Sequence, residues 1–513
     1  MSYREFELTM PTGYTEDDLR QALAKLTGLR DFSYHILLKS LDARRKDRIV
    51  WRFRCAVNSA ELQVEAGSRP EAKAPLVFAD SGRGRRVLVV GTGPAGIFSA
   101  LYLARCGFAV QVVERGSTVE QRRKALQDFE QGAAFPTANN YAFGEGGAGT
   151  FSDGKLSSRT KGISSERDFI FETLIAAGAP TEIAYMTHPH VGSDLLFGIT
   201  SRLRETLMEA GVQFSFDTVA EDLLLTGGRV SGLRTNKGDL DADFVVFATG
   251  HSAFDTLRML MKRDVPFRHK NFALGFRAEH RQETINRAQW GRPILAGVKA
   301  AEYRLAAQHG EVPVYSFCMC PGGTVVPAGA TADVSVVNGK SDYRRDGQWG
   351  NAAVVAGVNL EQLLTRPVSA PEALDWLEKL ERSFKSLTGD YRVPAMTISD
   401  FLHHRSGQEL PESSYPLGLM AVDMAELFPV PLTEALHAGV KEFCRKLSGY
   451  DNGIILGLES KTSAPVQAMR HPEKMYCGYE NLFLAGEGSG WSGGIVSSAA
   501  DGLRVAAALV RHG

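Results

Sequence analysis

Val87-Leu88-Val89-Val90-Gly91-Thr92-Gly93-Pro94-Ala95-Gly96, with its continuation from Ile97 to Arg115, is the stretch whose reading decides the fold. Val87 to Val90 reads as a buried parallel strand, and Gly91, Gly93 and Gly96 follow at the G-x-G-x-x-G spacing. A helical run from Ala95 to Cys106 comes next, then a second apolar strand, Ala109 to Val113, closing on Glu114. Gly91 permits a tight turn, Gly93 lets the backbone approach a pyrophosphate, and Gly96 lets the helix pack closely on the strand. The phosphates then face the positive dipole end of the helix at Pro94, which has no N–H of its own, and the unpaired N–H groups that begin with Ala95. Glu114 stands where a carboxylate accepts both hydroxyls of an adenosine ribose. The competing reading, an ordinary βαβ unit with a glycine-rich turn, leaves the full succession of strand, turn, helix, strand and acid to coincidence. A dinucleotide site is expected.

The rest of the chain bears on which dinucleotide. Asn481-Leu482-Phe483-Leu484-Ala485-Gly486-Glu487-Gly488 is a strand running into a glycine-rich turn, and Gly493-Gly494-Ile495 leads into a small-residue helix, Val496 to Leu509. Between these ends, Asp243 to Phe247 is an apolar strand closing on Ala248-Thr249-Gly250. Before it, Val212 to Phe216 reads as a strand and Leu223 to Arg234 as a hairpin turning at Gly227-Gly228. Flavoproteins of the glutathione-reductase type are similar in both segments, and the resemblance implies that the late acid reaches the FAD ribityl or pyrophosphate and that the last helix starts at the flavin pyrimidine. Reduced flavin is negative there, and a helix N-terminus stabilises an anion. No second G-x-G-x-x-G follows a strand, so the one site is assigned to noncovalent FAD. NAD(P)H is left as a transient electron donor that docks without a domain of its own.

Composition narrows the class. The chain has 513 residues, enough for two or three domains, and 44% hydrophobic residues with 52 glycines suit a loop-rich α/β protein. A formal net charge of −1 gives no general attraction to nucleic acid or anionic membrane. No apolar run approaches the roughly 18 residues of a membrane span, and the N-terminus lacks a signal core, so a cytoplasmic protein is expected. Six scattered cysteines argue against a disulfide framework.

The expected architecture is α/β: a discontinuous Rossmann-type FAD-binding domain, an inserted mixed α+β substrate domain, and a small N-terminal α/β domain. The latter covers 1–60, with strands near Glu5 to Thr9, Tyr34 to Leu41 and Ile49 to Val57 and a helix capped near Thr15. Residues 61–84 read as a polar linker. The FAD domain is expected at 85–252 and 452–513, and 253–451, too long for a loop, as the substrate domain.

The chain also resembles, over nearly its whole length, a bacterial family of NAD(P)/FAD-dependent dehydrogenases largely without assigned substrates. The resemblance rests on Lys39 to Lys46, Phe143 to Leu156, Tyr315 to Gly323, Glu459 to Val466 and Ala485 to Gly488. It implies an FAD fold and oxidoreductase chemistry but no substrate. Lys461 stands where arginine is expected, which replaces a planar fork by a point charge.

The FAD contacts expected from these segments are Gly91, Gly93, Pro94, Ala95, Gly96, Glu114, Arg115, Gly147, Thr150, Ser152, Lys155, Val219, Thr249, Gly250, Gly486, Glu487, Gly493, Gly494 and Ile495. Lys155 and Lys461 are the candidates to polarise a carbonyl or hold a carboxylate; no general acid or base is identified. Cys318 and Cys320 read as small apolar residues of a strand ending in Pro321-Gly322-Gly323, because a disulfide between positions i and i+2 of an extended strand is strained. No metal-ligand spacing is present. His251 lies close to FAD or caps the next helix, and His188, His190, His403 and His404 form no ligand set. Lys39, Arg44, Arg45, Lys46 and Arg48 read as a solvated hairpin turn. Hydride transfer between flavin N5 and a small organic substrate in an interdomain cleft is the function expected. A flavin monooxygenase, an RNA-modifying flavoprotein and a flavin-bound sensor are the alternatives. The first calls for an Asp-Gly pair where this chain has Gly486-Glu487-Gly488, and the second for a basic groove. Oligomeric state is not legible.

Overall fold

The computed structural model describes residues 2–62, 75–158, 160–405, 407 and 409–513. Its organising element is a six-stranded sheet in the order Tyr476–Cys477, Tyr479–Leu484, Phe244–Phe247, Arg86–Val90, Ala109–Val113, Gln213–Ser215. All neighbours are parallel except the short Tyr476–Cys477 edge. A parallel sheet is covered on both faces, which is why its strands are uninterrupted apolar runs. Helices Pro94–Arg105 and Ile495–His512 cover one face, and a three-stranded antiparallel sheet, Ala220–Thr226, Arg229–Thr235 and Gly238–Asp241, packs on the other. The two helices touch closely: a Cβ at Gly502 would sit 2.2 Å from the Ala95 carbonyl oxygen. Gly91 therefore stands at the carboxyl end of a central strand, where α/β sheets open a crevice.

A seven-stranded sheet follows, ordered Ala306–His309, Val312–Cys320, Trp349–Val358, Phe272–Arg281, Ile454–Glu459, Val393–Thr397, Leu419–Ala421, antiparallel save for its last pair. Helices Ala370–Thr388 and Val430–Lys446 bury Leu377, Phe384, Leu436 and Phe443 against one face. The hairpin Thr324–Pro327 with Val337–Lys340 packs on the other, with Val337 against Gly457. Ile454–Glu459 corrects the expected boundary at 452. It is a central strand of this sheet rather than the start of the returning FAD segment. All six of its residues are buried, and a short apolar run carries no mark of which sheet it joins.

At the N-terminus, Ser2–Pro11 and Ser33–Asp42 flank Val50–Ser59 in an antiparallel sheet. Trp51, Phe53, Cys55 and Val57 face Leu19 and Leu23 of helix Glu16–Thr27. Thr15 and Asp18 close a capping box at the start of that helix. Thr15→Ala is expected to cost about 1 kcal/mol, read as a lower urea midpoint for this unit. The strand Ser33–Asp42 is tied to the body: the Lys39 N–H donates to the Tyr185 carbonyl at 2.8 Å, and the Thr187 N–H to the Lys39 carbonyl at 3.0 Å. Lys39 departs from the solvated-turn reading. Its ammonium lies over Trp51, 4.5 Å from the ring centroid, and burial lowers its pKa. Arg44 and Arg45 pair outside with Asp42 and Asp47.

Residues 63–74 of the expected linker lie outside the described residues. Residues 75–84 run along the first sheet, with Leu76 and Phe78 against its core and the Tyr102 hydroxyl donating to the Val77 carbonyl at 2.7 Å. Among the described residues, no helix is long and apolar enough to cross a membrane.

Candidate functional site

Three glycine segments meet at the carboxyl end of the strand Arg86–Val90. Gly91 has φ +104°, and a Cβ there would lie 2.5 Å from the Ala248 carbonyl oxygen. A Cβ on Gly96 would lie 1.9 Å from the Gly91 carbonyl oxygen, so the helix sits on the strand at a distance only glycine allows. Gly93, the cap of helix Pro94–Arg105, differs: a Cβ there would meet nothing within 4 Å. A Cβ on Gly147 would come 3.1 Å from Gly93 Cα, and one on Gly149 3.3 Å from the Ile495 side chain. The turn, the 144–156 loop and the start of the last helix thus form one cradle.

Buried charges hold that loop. Arg122, fully buried, donates to the carbonyls of Asn140 (2.9 Å), Glu145 (2.8 Å) and Gly147 (2.8 Å). Burial lowers its pKa to about 10, against the pull of Glu114 and Glu145. Glu145 accepts from the Val119 N–H at 2.7 Å and from Arg204 at 2.6 Å, and desolvation still raises its pKa to about 7. Glu114 receives Thr92 N–H (3.0 Å) and hydroxyl (2.6 Å) on one oxygen, and the Gly116 (2.9 Å) and Gly144 (3.2 Å) N–H groups on the other. A carboxylate has about four lone-pair sites, and here the protein fills them. Glu114 lines the cavity, but it clasps the turn to the loop, and a ribose hydroxyl would have to displace the Thr92 hydroxyl.

The facing wall comes from the second sheet. The Lys155 ammonium pairs with Asp153 at 2.9 Å and also bonds the Met319 carbonyl. Asp153, fully buried, accepts from Arg345 at 2.7 Å and from the Ser341 hydroxyl; the two cations hold its carboxyl below the usual range despite burial. The same Asp153 raises the Lys155 pKa against desolvation. Cys318 lies beside Lys155, in the left-handed region at φ +45°. Lys461 pairs with buried Glu381 at 2.7 Å, and its side chain is 6% exposed. His251 Nδ1 lies 3.2 Å from Glu487, while its Nε2 is buried without a partner. The Gly486 N–H is taken by Asp501 (2.7 Å), which also pairs with Arg470.

Between these walls lies a cavity of about 1300 Å³, larger than the roughly 300–1,000 Å³ of a usual small-molecule site. Open space over Gly93 and two helix N-termini suit a large anionic ligand, and His251 in the lining adds a polar edge. The residues fit FAD.

Two family models match the chain. One, described as an FAD binding domain, covers residues 85–128, and the other, an FAD-dependent protein C-terminal domain-like family, covers residues 271–462. An uncharacterized protein of Clostridium beijerinckii is 38% identical over 436 residues, spanning 83% of this chain and 80% of its own length. The chain belongs to this family of FAD-dependent proteins. The cofactor is a redox group, so this is an FAD-dependent oxidoreductase. Among solved structures, a glycine oxidase from Bacillus cereus shows 12% identity and TM-score 0.33, covering 83% of this chain and 95% of its own. A geranylgeranyl bacteriochlorophyll reductase-like protein of Thermoplasma acidophilum shows 13% identity and TM-score 0.36, covering 83% and 78%. Neither likeness is close enough to carry an inference.

In this flavoprotein most residues named from sequence reach the cavity: Gly91, Gly93, Pro94, Ala95, Glu114, Arg115, Gly147, Ser152, Lys155, Thr249, Gly250, Gly486, Glu487, Gly493, Gly494, Ile495 and Lys461. Gly96, Thr150 and Val219 do not line it. Gly96 faces Gly91, and the Thr150 hydroxyl turns back to Thr200 at 3.4 Å. Val219 accepts from and donates to Asn236, while its neighbours Thr218 and Ala220 line the cavity. Lys461 reaches the wall with its charge spent on Glu381. Sequence reasoning missed Arg122, Asp501 and Arg470, which hold the cradle from behind and carry no local motif.

Proposed function

We propose that this oxidoreductase binds one FAD noncovalently along the glycine cradle, in the manner of glutathione-reductase-type flavoproteins, and exchanges a hydride with a small organic molecule in the rest of the cleft. One observation carries the reading: the two helix N-termini and Gly93 open onto the same cavity as Lys155 and the Val312–Cys320 strand. Bound FAD supplies two-electron chemistry at the isoalloxazine. The chain's own part is orientation and electrostatics. The first turn of helix Ile495–His512 offers N–H groups to negative charge at its end. Lys155 has three N–H donors, and Asp153 and the Met319 carbonyl occupy two of them. The third remains for a substrate carbonyl or carboxylate. Lys461, neutralised by Glu381, holds the wall instead.

Anaerobic mixing with NADH and then NADPH in a stopped-flow instrument tests the electron source. Bleaching of the flavin band within seconds by either identifies a nicotinamide-fed enzyme. A band that stays oxidised with both, and bleaches with a member of an organic metabolite panel, identifies a dehydrogenase reduced by its own substrate. A flavin that answers to none of these contradicts the reading.

A further inference from the structure

The strand Val312–Cys320 is not regular where it reaches the cavity. Phe317 pairs with Ala353 and Cys320 with Asn351, so three steps along this strand match two along its neighbour. The strand is compressed between these points, and the extended spacing that argues against an i, i+2 sulfur pair is lost. Cys318 sits inside this bulge at φ +45°, a conformation that disfavours any residue but glycine. Arg277 holds it there by donating to the Cys318 carbonyl at 2.8 Å, and the same guanidinium nitrogen reaches Cys320 Sγ at 3.6 Å. Strain retained at the wall of a functional cavity is a signature of a working residue.

The electrostatics around the two sulfurs are asymmetric. Cys318 lines the cavity; the neighbouring Cys320 thiol, then Lys155 and Arg277, favour its thiolate against burial and bring its pKa down to about 5, while the Cys320 S–H also donates to the Cys318 carbonyl oxygen at 3.3 Å. Cys320 is buried, and its own proton is held more tightly because the first thiolate lies beside it. An accessible thiolate with a protonated partner behind it is the arrangement of an attacking and a resolving cysteine.

We propose that Cys318 and Cys320 are a redox-active thiol pair in the wall of the FAD cleft, and that the substrate class is a small disulfide. This rests on the FAD oxidoreductase reading, which supplies the electrons. The Cys318 sulfur attacks one substrate sulfur, forming a mixed disulfide and breaking the substrate S–S bond. The departing thiolate takes the Cys320 proton. Cys320 then attacks the Cys318 sulfur, closing the protein disulfide and releasing the second half of the substrate as a thiolate. The substrate gains two electrons and the pair loses two. Reduced FAD held in the cleft, itself supplied by a hydride donor of the nicotinamide class, would provide the two electrons that, with one proton, restore the Cys318 thiolate and the Cys320 thiol.

The test uses the FAD-loaded enzyme, reduced, freed of reductant and exposed anaerobically to glutathione disulfide. Peptide mass mapping should find a disulfide joining Cys318 to Cys320, with about four glutathione thiols released per chain, two for the electrons of the pair and two for those of reduced FAD. The oxidised enzyme should then take up two more reducing equivalents in a dithionite titration than its FAD accounts for. Cys320→Ser should stop at a glutathione adduct on Cys318, and Cys318→Ser should form neither species. Cys444→Ser, outside the cavity lining, should behave as the wild type. A wild-type enzyme with a full flavin spectrum that forms no such disulfide and takes up no extra equivalents overturns the pair and leaves the FAD reading standing. A protein without flavin overturns the earlier reading instead, while the mass map still reports on the cysteines. Because the wild type decides the question, a variant that fails to fold does not.

Discussion

Gly93→Val is expected to leave the protein folded and to weaken FAD binding by at least about 100-fold, or ~2.8 kcal/mol. The backbone at Gly93 has φ −66° and ψ 175°, which valine adopts without strain. Nothing lies within 4 Å of a Cβ there, so the new methyl groups start from open space. They project into the space over the helix start, where a pyrophosphate needs the bare backbone. Titrating apoprotein with FAD while following the thermal melt checks both halves of the expectation. Gly96→Val is the counter-experiment. A Cβ there lies 1.9 Å from the backbone oxygen of Gly91, so the helix must leave the strand. Overpacking of this kind costs typically 1–3 kcal/mol and occasionally more, and the melting temperature should fall. Equal destabilisation of the two variants would contradict the assignment of Gly93 as ligand-facing and Gly96 as packing.

Arg277→Met is expected to destabilise the chain by about 3–5 kcal/mol, the usual cost of leaving one partner of a buried ion pair alone. Arg277 and Glu459 are 2.5 Å apart and together almost without exposure. Burial disfavours both charges, pulling the guanidinium pKa down and pushing the Glu459 carboxyl above its ordinary value. The facing Glu459 keeps Arg277 charged, with its pKa raised above the ordinary value. The same side chain bonds Asn351 (2.7 Å), Asn338 (3.0 Å) and the Cys318 carbonyl. It therefore joins three strands of the second sheet and the hairpin behind them. Urea unfolding of Arg277→Met and of the double variant Arg277→Met/Glu459→Leu separates the terms. Removing both charges should recover part of the loss, and the carbonyl and amides that Arg277 served account for what is not recovered. A single variant within 1 kcal/mol of the wild type, on the order of a surface pair, would show that the pair bears little of the fold.

The nucleotide-binding half of the molecule is legible in the sequence because its signals are local. The strand Ala109–Val113 and the helix Pro94–Arg105 follow from a period of apolar residues bounded by glycine, and Thr15 announces its helix by an oxygen acceptor before three acids. What the sequence conceals is set by pairing over long separations. Ile454–Glu459 joins the second sheet because Phe272–Arg281 and Val393–Thr397 offer it open edges, and nothing in six buried residues records that. The bulge at Cys318 depends on where Ala353 and Asn351 fall on the neighbouring strand, outside the motif. The strand ending at Cys320 before Pro321 was legible, and the bulge within it was not.

Electrostatic roles were partly hidden in the same way. The position of Glu114 at a strand end is evident from the sequence, yet the Gly144 N–H that helps saturate it arrives from a loop. Lys461 looks free among polar neighbours until Glu381, on a helix eighty positions earlier, neutralises it. His251 gains its interest from a buried Nε2 with no partner, a property of the packed cavity alone. Motifs thus located the cavity, and the partners that tune its groups came from the tertiary fold.

The most direct measurement is the flavin content of the purified protein. The visible spectrum is recorded, the protein is denatured, and the supernatant is assayed for released cofactor. A yellow protein that releases one FAD per chain, with none left covalently attached, is the expected result. A colourless protein whose apo form takes up no FAD on titration would contradict it.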